Sequence, residues 1–231
     1  MHADEEKRRY AMEKRKEYDY ILFDLDGTLT DSKEGIQECI KFALDKEGID
    51  YEPSVLDKMI GPPFRVSMRE FLGLDMPMIE KLIAHYRGEY AEYGWQHNKV
   101  YDGVTDMLAT LKKAGKTLAV ATSKPIKFTD MIVKGFDLEK YFDYVGAASS
   151  DVSREAKCDV IENVLVNLGV KDRSKVLMVG DRKYDIEGAR ACKIDCCAVL
   201  YGYGNKNEFV ENGATYIVEK PSDVVKLVLN Q

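Results

Sequence analysis

Tyr20-Ile21-Leu22-Phe23-Asp24-Leu25-Asp26-Gly27-Thr28-Leu29 decides how the rest of the chain is read. Four apolar residues run without a polar interruption and stop at an acid. A continuous apolar run predicts a strand buried on both faces, as in a parallel sheet, whereas alternation would predict one wet face. The design recurs. Thr117-Leu118-Ala119-Val120-Ala121 ends in Thr122-Ser123, and Lys175-Val176-Leu177-Met178-Val179 ends in Gly180-Asp181. Cys196-Cys197-Ala198-Val199-Leu200 is a fourth run and Tyr144-Val145-Gly146-Ala147 a weaker fifth.

Helical patterns lie between these runs. Val104, Met107, Leu108 and Leu111 share one face before Gly115, and Val160, Ile161, Val164, Leu165 and Leu168 do so before Gly169. Each glycine suits a helix C-terminal cap. Strands alternating with helices imply right-handed crossovers and an α/β fold built on a doubly wound parallel sheet. Residues 32–98 break the alternation. Ile36, Ile40, Ala43 and Leu44 mark one helix ended by Gly48. Phe64, Met68, Phe71 and Leu72 mark a second, and Met78 through Tyr93 a third, with Tyr86, Tyr90 and Tyr93 read as core or rim of this unit. No convincing strand interrupts them. An all-α insert therefore follows the first strand and its turn, with the main unit expected over 18–31 and 99–231.

At 231 residues the chain suits one large domain, or a core with a smaller insert. Hydrophobic residues at 45% and charged residues at 32% exclude disordered and collagen-like classes. No apolar run approaches the roughly 18 residues of a membrane span, so no membrane partner is expected. The net charge of −6 repels phosphate backbones, so no nucleic-acid partner is expected either, although a local site can still hold a small anion. Five cysteines, an odd count with no C-x-x-C spacing, fit buried apolar residues in a reducing, cytoplasmic setting. Residues 1–17 carry eleven charges, six basic and five acidic, with no apolar stretch after them; they read as a solvated charged extension and not a signal peptide.

In open α/β sheets ligands bind outside the carboxyl ends of the strands. Asp24, Asp26, Thr122, Ser123, Asp181 and Asp185 all fall there. Asp24 and Asp26, two residues apart beyond a buried strand, repel each other and resist desolvation, a conflict that a divalent cation resolves. Asp181 and Asp185 add hard oxygen ligands, a set suited to Mg²⁺ rather than zinc.

With these motifs in order, the chain resembles the haloacid dehalogenase-like hydrolase superfamily. Asp24-Leu25-Asp26-Gly27-Thr28-Leu29 is similar to its first motif, Thr122-Ser123-Lys124 to its second, Lys157 opening a helix to its third, and Gly180-Asp181 with Asp185 to its fourth. The insert resembles the α-helical cap of the subgroup holding phosphoglycolate phosphatase and β-phosphoglucomutase. The resemblance implies a Rossmann-like core and a phosphatase in which Asp24 attacks phosphorus. Asp26 would act as general acid and then base. Thr122 and Ser123 would bind phosphoryl oxygens, and Lys157 would neutralise charge and restrain Asp24. Mg²⁺ would be held by Asp24, Asp181 and the backbone carbonyl of Asp26, with Asp185 orienting a water or Lys157 from behind. Lys124 is read as facing solvent. Asp26 argues against dehalogenation, because a dehalogenase would lack this second acid.

In this subgroup the cap selects the substrate. The Gly61-Pro62-Pro63-Phe64-Arg65 loop makes Arg65 the specificity candidate, with Arg69 behind it, and Arg154 is placed near the site mouth. Hinges are expected near 30–32 and 98–103. The expected substrate is a small phosphorylated metabolite, such as phosphoglycolate, a nucleoside monophosphate or a sugar phosphate, and the expected assembly a monomer or homodimer. A phosphoglucomutase-like isomerase shares Asp24 and Asp26 and stays open as an alternative, as does a binding protein without turnover. One departure is local: Lys193 stands where the family closes the fourth-motif helix with glycine, which puts that helix end in question.

Overall fold

β1 (Tyr20–Phe23) lies in the interior of a parallel sheet, between β4 (Thr117–Pro125) and β6 (Val176–Gly180). The structure is a computed structural model that describes residues 16–61, 64–149 and 156–231. Among these, six strands pair in the order β5-β4-β1-β6-β7-β8, where β5 is Tyr144–Ala148, β7 Asp195–Val199 and β8 Tyr216–Val218. Every pairing is parallel. The edge strand β8 escapes a reading from periodicity because three residues are too short to show one.

Strand residues point alternately to the two faces, so each apolar run supplies two cores. Ile21, Phe23, Leu118, Val120, Leu177 and Val179 pack on one face against α5 (Val104–Lys113), α6 (Ile126–Gly135) and α10 (Pro221–Leu229). Leu22, Ala119, Ala121, Met178 and Ala198 face α7 (Lys157–Asn167), α8 (Lys183–Ala191) and α9 (Lys206–Asn212). Helices on both faces make the fold α/β and doubly wound.

Between β1 and β4 the chain builds a helical unit of α1 (Lys33–Lys46), α2 (Val55–Lys58), α3 (Phe64–Leu72) and α4 (Met76–Glu92). Its own core joins Ile40, Leu44, Met68, Ile79, Leu82 and Ile83. Asp75 caps α4 by accepting the Met78 N–H at 3.0 Å, and Pro77 follows in the first turn. Pro62, Pro63 and Arg154 lie outside the described residues.

The structure adds one feature the sequence did not show and corrects two expectations. The passages into and out of the helical unit are paired: β2 (Thr30–Asp31) and β3 (Lys99–Val100) form an antiparallel ribbon, too short to leave an alternating pattern. Thr122 and Ser123 lie within β4 and not beyond it, because pairing with β5 continues through a register shift from Thr122↔Ala147 to Pro125↔Ala148. Lys193 does not disturb the end of α8. It adopts the left-handed conformation itself, at φ 57, while Ile194 donates to the Ala189 carbonyl at 3.0 Å. A Cβ in that region costs about 1 kcal/mol, partly offset by the entropy glycine loses on folding. Lys193→Gly should therefore raise stability by roughly 0.5 kcal/mol and Tm by about 1–2 °C. A lower Tm in a thermal melt would show that the lysine side chain contributes more than its backbone costs.

Candidate active site

The C-terminal ends of β1, β4 and β6 meet at one rim of the sheet. Phe23 pairs with Val120 on one side and Val179 on the other, so the residues just beyond these positions converge. Asp24 leaves β1 with its N–H donated to the Val179 carbonyl at 2.9 Å. Gly27 then turns the chain at φ 84, and Leu29 and Thr30 both donate to the Leu25 carbonyl. A side chain at Gly27 is excluded on two counts: a Cβ would meet a left-handed backbone and sit 2.2 Å from Asp181 Oδ2.

Three carboxylates gather there. Asp24, Asp181 and Asp185 each place an oxygen within 4.8 Å of the others. Asp181 and Asp185 are fully buried and Asp24 nearly so. Lys157, the first residue of α7, sits among them: its Nζ lies 2.8 Å from Asp24 Oδ1 and 2.8 Å from Asp185 Oδ1, and it donates to the Ala121 carbonyl at 3.1 Å. Burial alone would pull the ammonium down, but the carboxylates of Asp185 and Asp24 reverse this and raise it, so the lysine stays charged. Burial pushes the Asp24 carboxyl up to about 6 against the pull of Lys157, with Asp185 adding to the rise. Asp181 is raised for the same reasons, burial first and then the charges of Asp185 and Asp24. The Thr28 hydroxyl donates to Asp181 Oδ1 at 3.2 Å and the Tyr203 N–H to Oδ2 at 2.8 Å.

One lysine does not balance three buried carboxylates. Asp24 Oδ1 and Asp185 Oδ1 share that one ammonium, and neither makes a further hydrogen bond among the described residues. An all-oxygen, acid-rich donor set with unsatisfied lone pairs fits a hard divalent cation. Asp185 thus belongs to the acidic cluster itself, while its Oδ2 also accepts the Arg182 N–H at 3.0 Å.

Asp26 turns the other way. Its carboxylate accepts from Lys124 Nζ at 2.9 and 3.2 Å, and that ammonium lies 4.4 Å from the centre of the Tyr90 ring. Lys124 is buried, which corrects the expectation that it faces solvent. The aromatic stripe holds as core or rim of the helical unit for Tyr86 and Tyr93, while Tyr90 belongs to the sheet-side core. Tyr90 reaches across to the sheet side and packs edge-on against Phe128 of α6 at 5.1 Å, Tyr86 stacks on Tyr90, and only Tyr93 is exposed. Thr122 Oγ1 accepts the Lys124 N–H at 3.2 Å and hydrogen-bonds Asp24, lowering its carboxyl.

Above the acids opens a cavity of about 580 Å³ shared by the sheet rim and the helical unit. Asp24, Asp26, Thr122, Ser123, Lys157 and Asp185 line it from below and Arg65 from above, where Glu80 holds the Arg65 guanidinium at 2.9 Å. Asp181 lies beneath the floor, and Arg69 is not among the lining residues. Arg182 joins the two units by donating to the Ile60 carbonyl and to Glu208 Oε1 at 3.1 Å. Gly61 permits that approach, since a Cβ there would lie 2.2 Å from the guanidinium. Arg182 and Tyr203 escaped the sequence reading, and Lys124 was named in the second motif but assigned to solvent. Tyr203 had a readable signal, since Tyr201-Gly202-Tyr203-Gly204 follows the C-terminal end of β7, where ligands bind in such sheets. Arg182 had none, because a charged residue in a turn is ordinarily solvated.

The profile of the haloacid dehalogenase-like hydrolase family matches residues 21–199. A tyrosine-protein kinase, PtkA, from Mycobacterium tuberculosis H37Rv is 37% identical over 208 residues, 90% of this chain and 70% of that protein. A 5'-nucleotidase from Pseudomonas aeruginosa is 37% identical over 201 residues, covering 86% of this chain and 90% of its own. The crystal structure of a predicted phosphatase from Clostridium acetobutylicum superposes with a TM-score of 0.88 at 39% identity, over 93% of this chain and all of that one. With its sheet, its rim of acids and this likeness over nearly its whole length, the chain belongs to the haloacid dehalogenase-like hydrolase family.

Proposed function

We propose that the protein is a Mg²⁺-dependent phosphatase that cleaves small phosphomonoesters through an aspartyl-phosphate on Asp24. The observation that carries the reading is the Asp24 carboxylate at the cavity floor, between Lys157 and two further buried acids. Asp24, Asp181 and the Asp26 backbone carbonyl would hold Mg²⁺, with Asp185 beside them. When bound, the ion shields the charge of the phosphoryl group and keeps Asp24 ionised.

Asp24 attacks phosphorus and the ester P–O bond breaks. Asp26, entering this step with the proton it took from water in the preceding turnover, gives that proton to the departing alkoxide. Water then attacks the aspartyl-phosphate, Asp26 takes its proton, and the P–O bond to Asp24 breaks to release phosphate. Thr122 and Ser123 donate to phosphoryl oxygens, and Lys157 holds Asp24 while balancing charge that builds in the transition state. Lys124 fixes the Asp26 side chain at the cavity wall. The helical unit acts as a cap over residues 32–98, with Arg65 on the substrate side, and excludes water when closed.

Phosphate release from a phosphomonoester panel tests this. Activity should require Mg²⁺, vanish with EDTA and return with added Mg²⁺. Borohydride trapping during turnover should convert residue 24 to homoserine, read by peptide mass. A label on any other residue would move the nucleophile. The relative named a tyrosine-protein kinase favours a second reading, in which the phosphoryl group passes from Asp24 to a tyrosine hydroxyl in place of water. Transfer to a protein tyrosine with no free phosphate would support that reading over the first.

A further inference from the structure

The helical unit gives the cavity a largely apolar lining. Met59, Ile60, Phe64, Ile83 and Tyr86 face it, and Phe128 joins them from the sheet side. The aromatic members are continuous: Phe64 and Tyr86 lie 4.9 Å apart between ring centres. Among the described lining residues this unit offers no carboxylate and no amide, and its polar atoms are the Tyr86 hydroxyl and the guanidinium groups of Arg65 and Arg87. Arginine only donates hydrogen bonds. The Tyr86 hydroxyl is then the one side-chain acceptor this unit offers among the described lining residues, so a sugar phosphate would bury most of its hydroxyls against Ile, Met and Phe unpaired, each at a cost. Phosphoglycolate would fill little of 580 Å³, a space within the roughly 300–1,000 Å³ range of sites for much larger ligands.

We propose that the preferred substrate is a phosphomonoester whose alcohol carries a planar aromatic ring, with the phosphoryl group at Asp24 and the ring against Phe64, Tyr86 and Phe128. This rests on the phosphatase reading above. A flat ring gains both apolar burial and edge or offset contacts with such a wall, and it demands no acceptor there. The ring could belong to an aryl-substituted alcohol or to a nucleoside; the wall recognises what they share.

The test uses the purified full chain with Mg²⁺ and reads kcat/KM by phosphate release on two matched pairs. Benzyl and cyclohexylmethyl phosphate differ in planarity. Uridine 5'-monophosphate and ribose 5-phosphate differ in the presence of a base. Each pair leaves as a primary alkoxide, so chemistry alone does not choose between its members. We expect benzyl over cyclohexylmethyl by roughly 3- to 10-fold, or the nucleotide over ribose 5-phosphate by at least about 10-fold. Whichever preference appears identifies the source of the ring. Tyr86→Leu, which keeps bulk and removes the ring, should bring the preferred pair's ratio close to one. The wild-type ratios stand by themselves if that variant fails to fold. Turnover with no preference in either pair overturns this inference and leaves the phosphatase reading intact. Absence of turnover on every phosphomonoester overturns both.

Discussion

Asp24→Asn should lower kcat by at least about 10³-fold on every phosphomonoester the enzyme accepts, in line with losses measured for essential catalytic groups. The amide keeps the shape of the side chain but cannot attack phosphorus, and it removes one of the charges around a proposed Mg²⁺ site. The fold should survive. Asp24 is a buried acid whose ionised form burial opposes, and Asn replaces it with a neutral group of equal size while Lys157 keeps its contact to Asp185. Tm should therefore stay within a few degrees of the wild type. A variant that melts normally and still turns over at close to the native rate would take the nucleophile's role away from Asp24.

Lys157→Met should damage both activity and stability. The lysine is the cation set directly between Asp24 and Asp185, and its own side chain is 6% exposed. Met matches its length but strips Asp24 and Asp185 of the cation that lies 2.8 Å from each. Removing one partner of a buried ion pair costs about 3–5 kcal/mol, which for a chain of this size corresponds to a fall in Tm of roughly 10 °C. The readout that separates electrostatics from packing is Mg²⁺ itself. If the acids form a cation site, added Mg²⁺ should recover part of the lost Tm by binding the folded state alone. It should not do so when Asp181→Asn is added. A Lys157→Met protein as stable as the wild type, and indifferent to Mg²⁺, would show that the cluster is not under the strain its geometry implies.

The strands β1, β4, β6 and β7 were legible because each carries an unbroken apolar run bounded by polar residues. The helices α5 and α7 were legible from one-sided periodicity, and α1, α3 and α4 likewise. What escaped was short or paired at a distance. The β2–β3 ribbon has two residues a side, and β8 three, too few for any period. Lys193 shows a different limit. Glycine is the cheapest residue in the left-handed turn after a helix, yet the turn forms without it, because the N–H groups of Cys192, Lys193 and Ile194 donate to the Gly188, Arg190 and Ala189 carbonyls and together outweigh a penalty of about 1 kcal/mol.

The site divides in the same way. Asp24, Thr122, Asp181 and Asp185 could be placed at one rim from the linear chain, because parallel pairing aligns strand ends and so converts position along a strand into position in space, whereas Lys157, which opens a helix, was placed there by the family resemblance alone. What their sequence neighbours do could not be so placed. Lys124 stands two residues after Thr122, yet only the approach of Tyr90 from α4 and of Asp26 from the first turn makes it a buried ion-pair partner. Arg182 stands next to Asp181, yet its contact with the Ile60 carbonyl exists only because the helical unit lies over the sheet. The chain by itself determined the sheet, the insert and the line of acids, since these follow from local pattern and backbone pairing. Tertiary structure alone decided which charges are paired and which side chains wall the cavity, because both depend on surfaces that meet only when two separately patterned units close on each other.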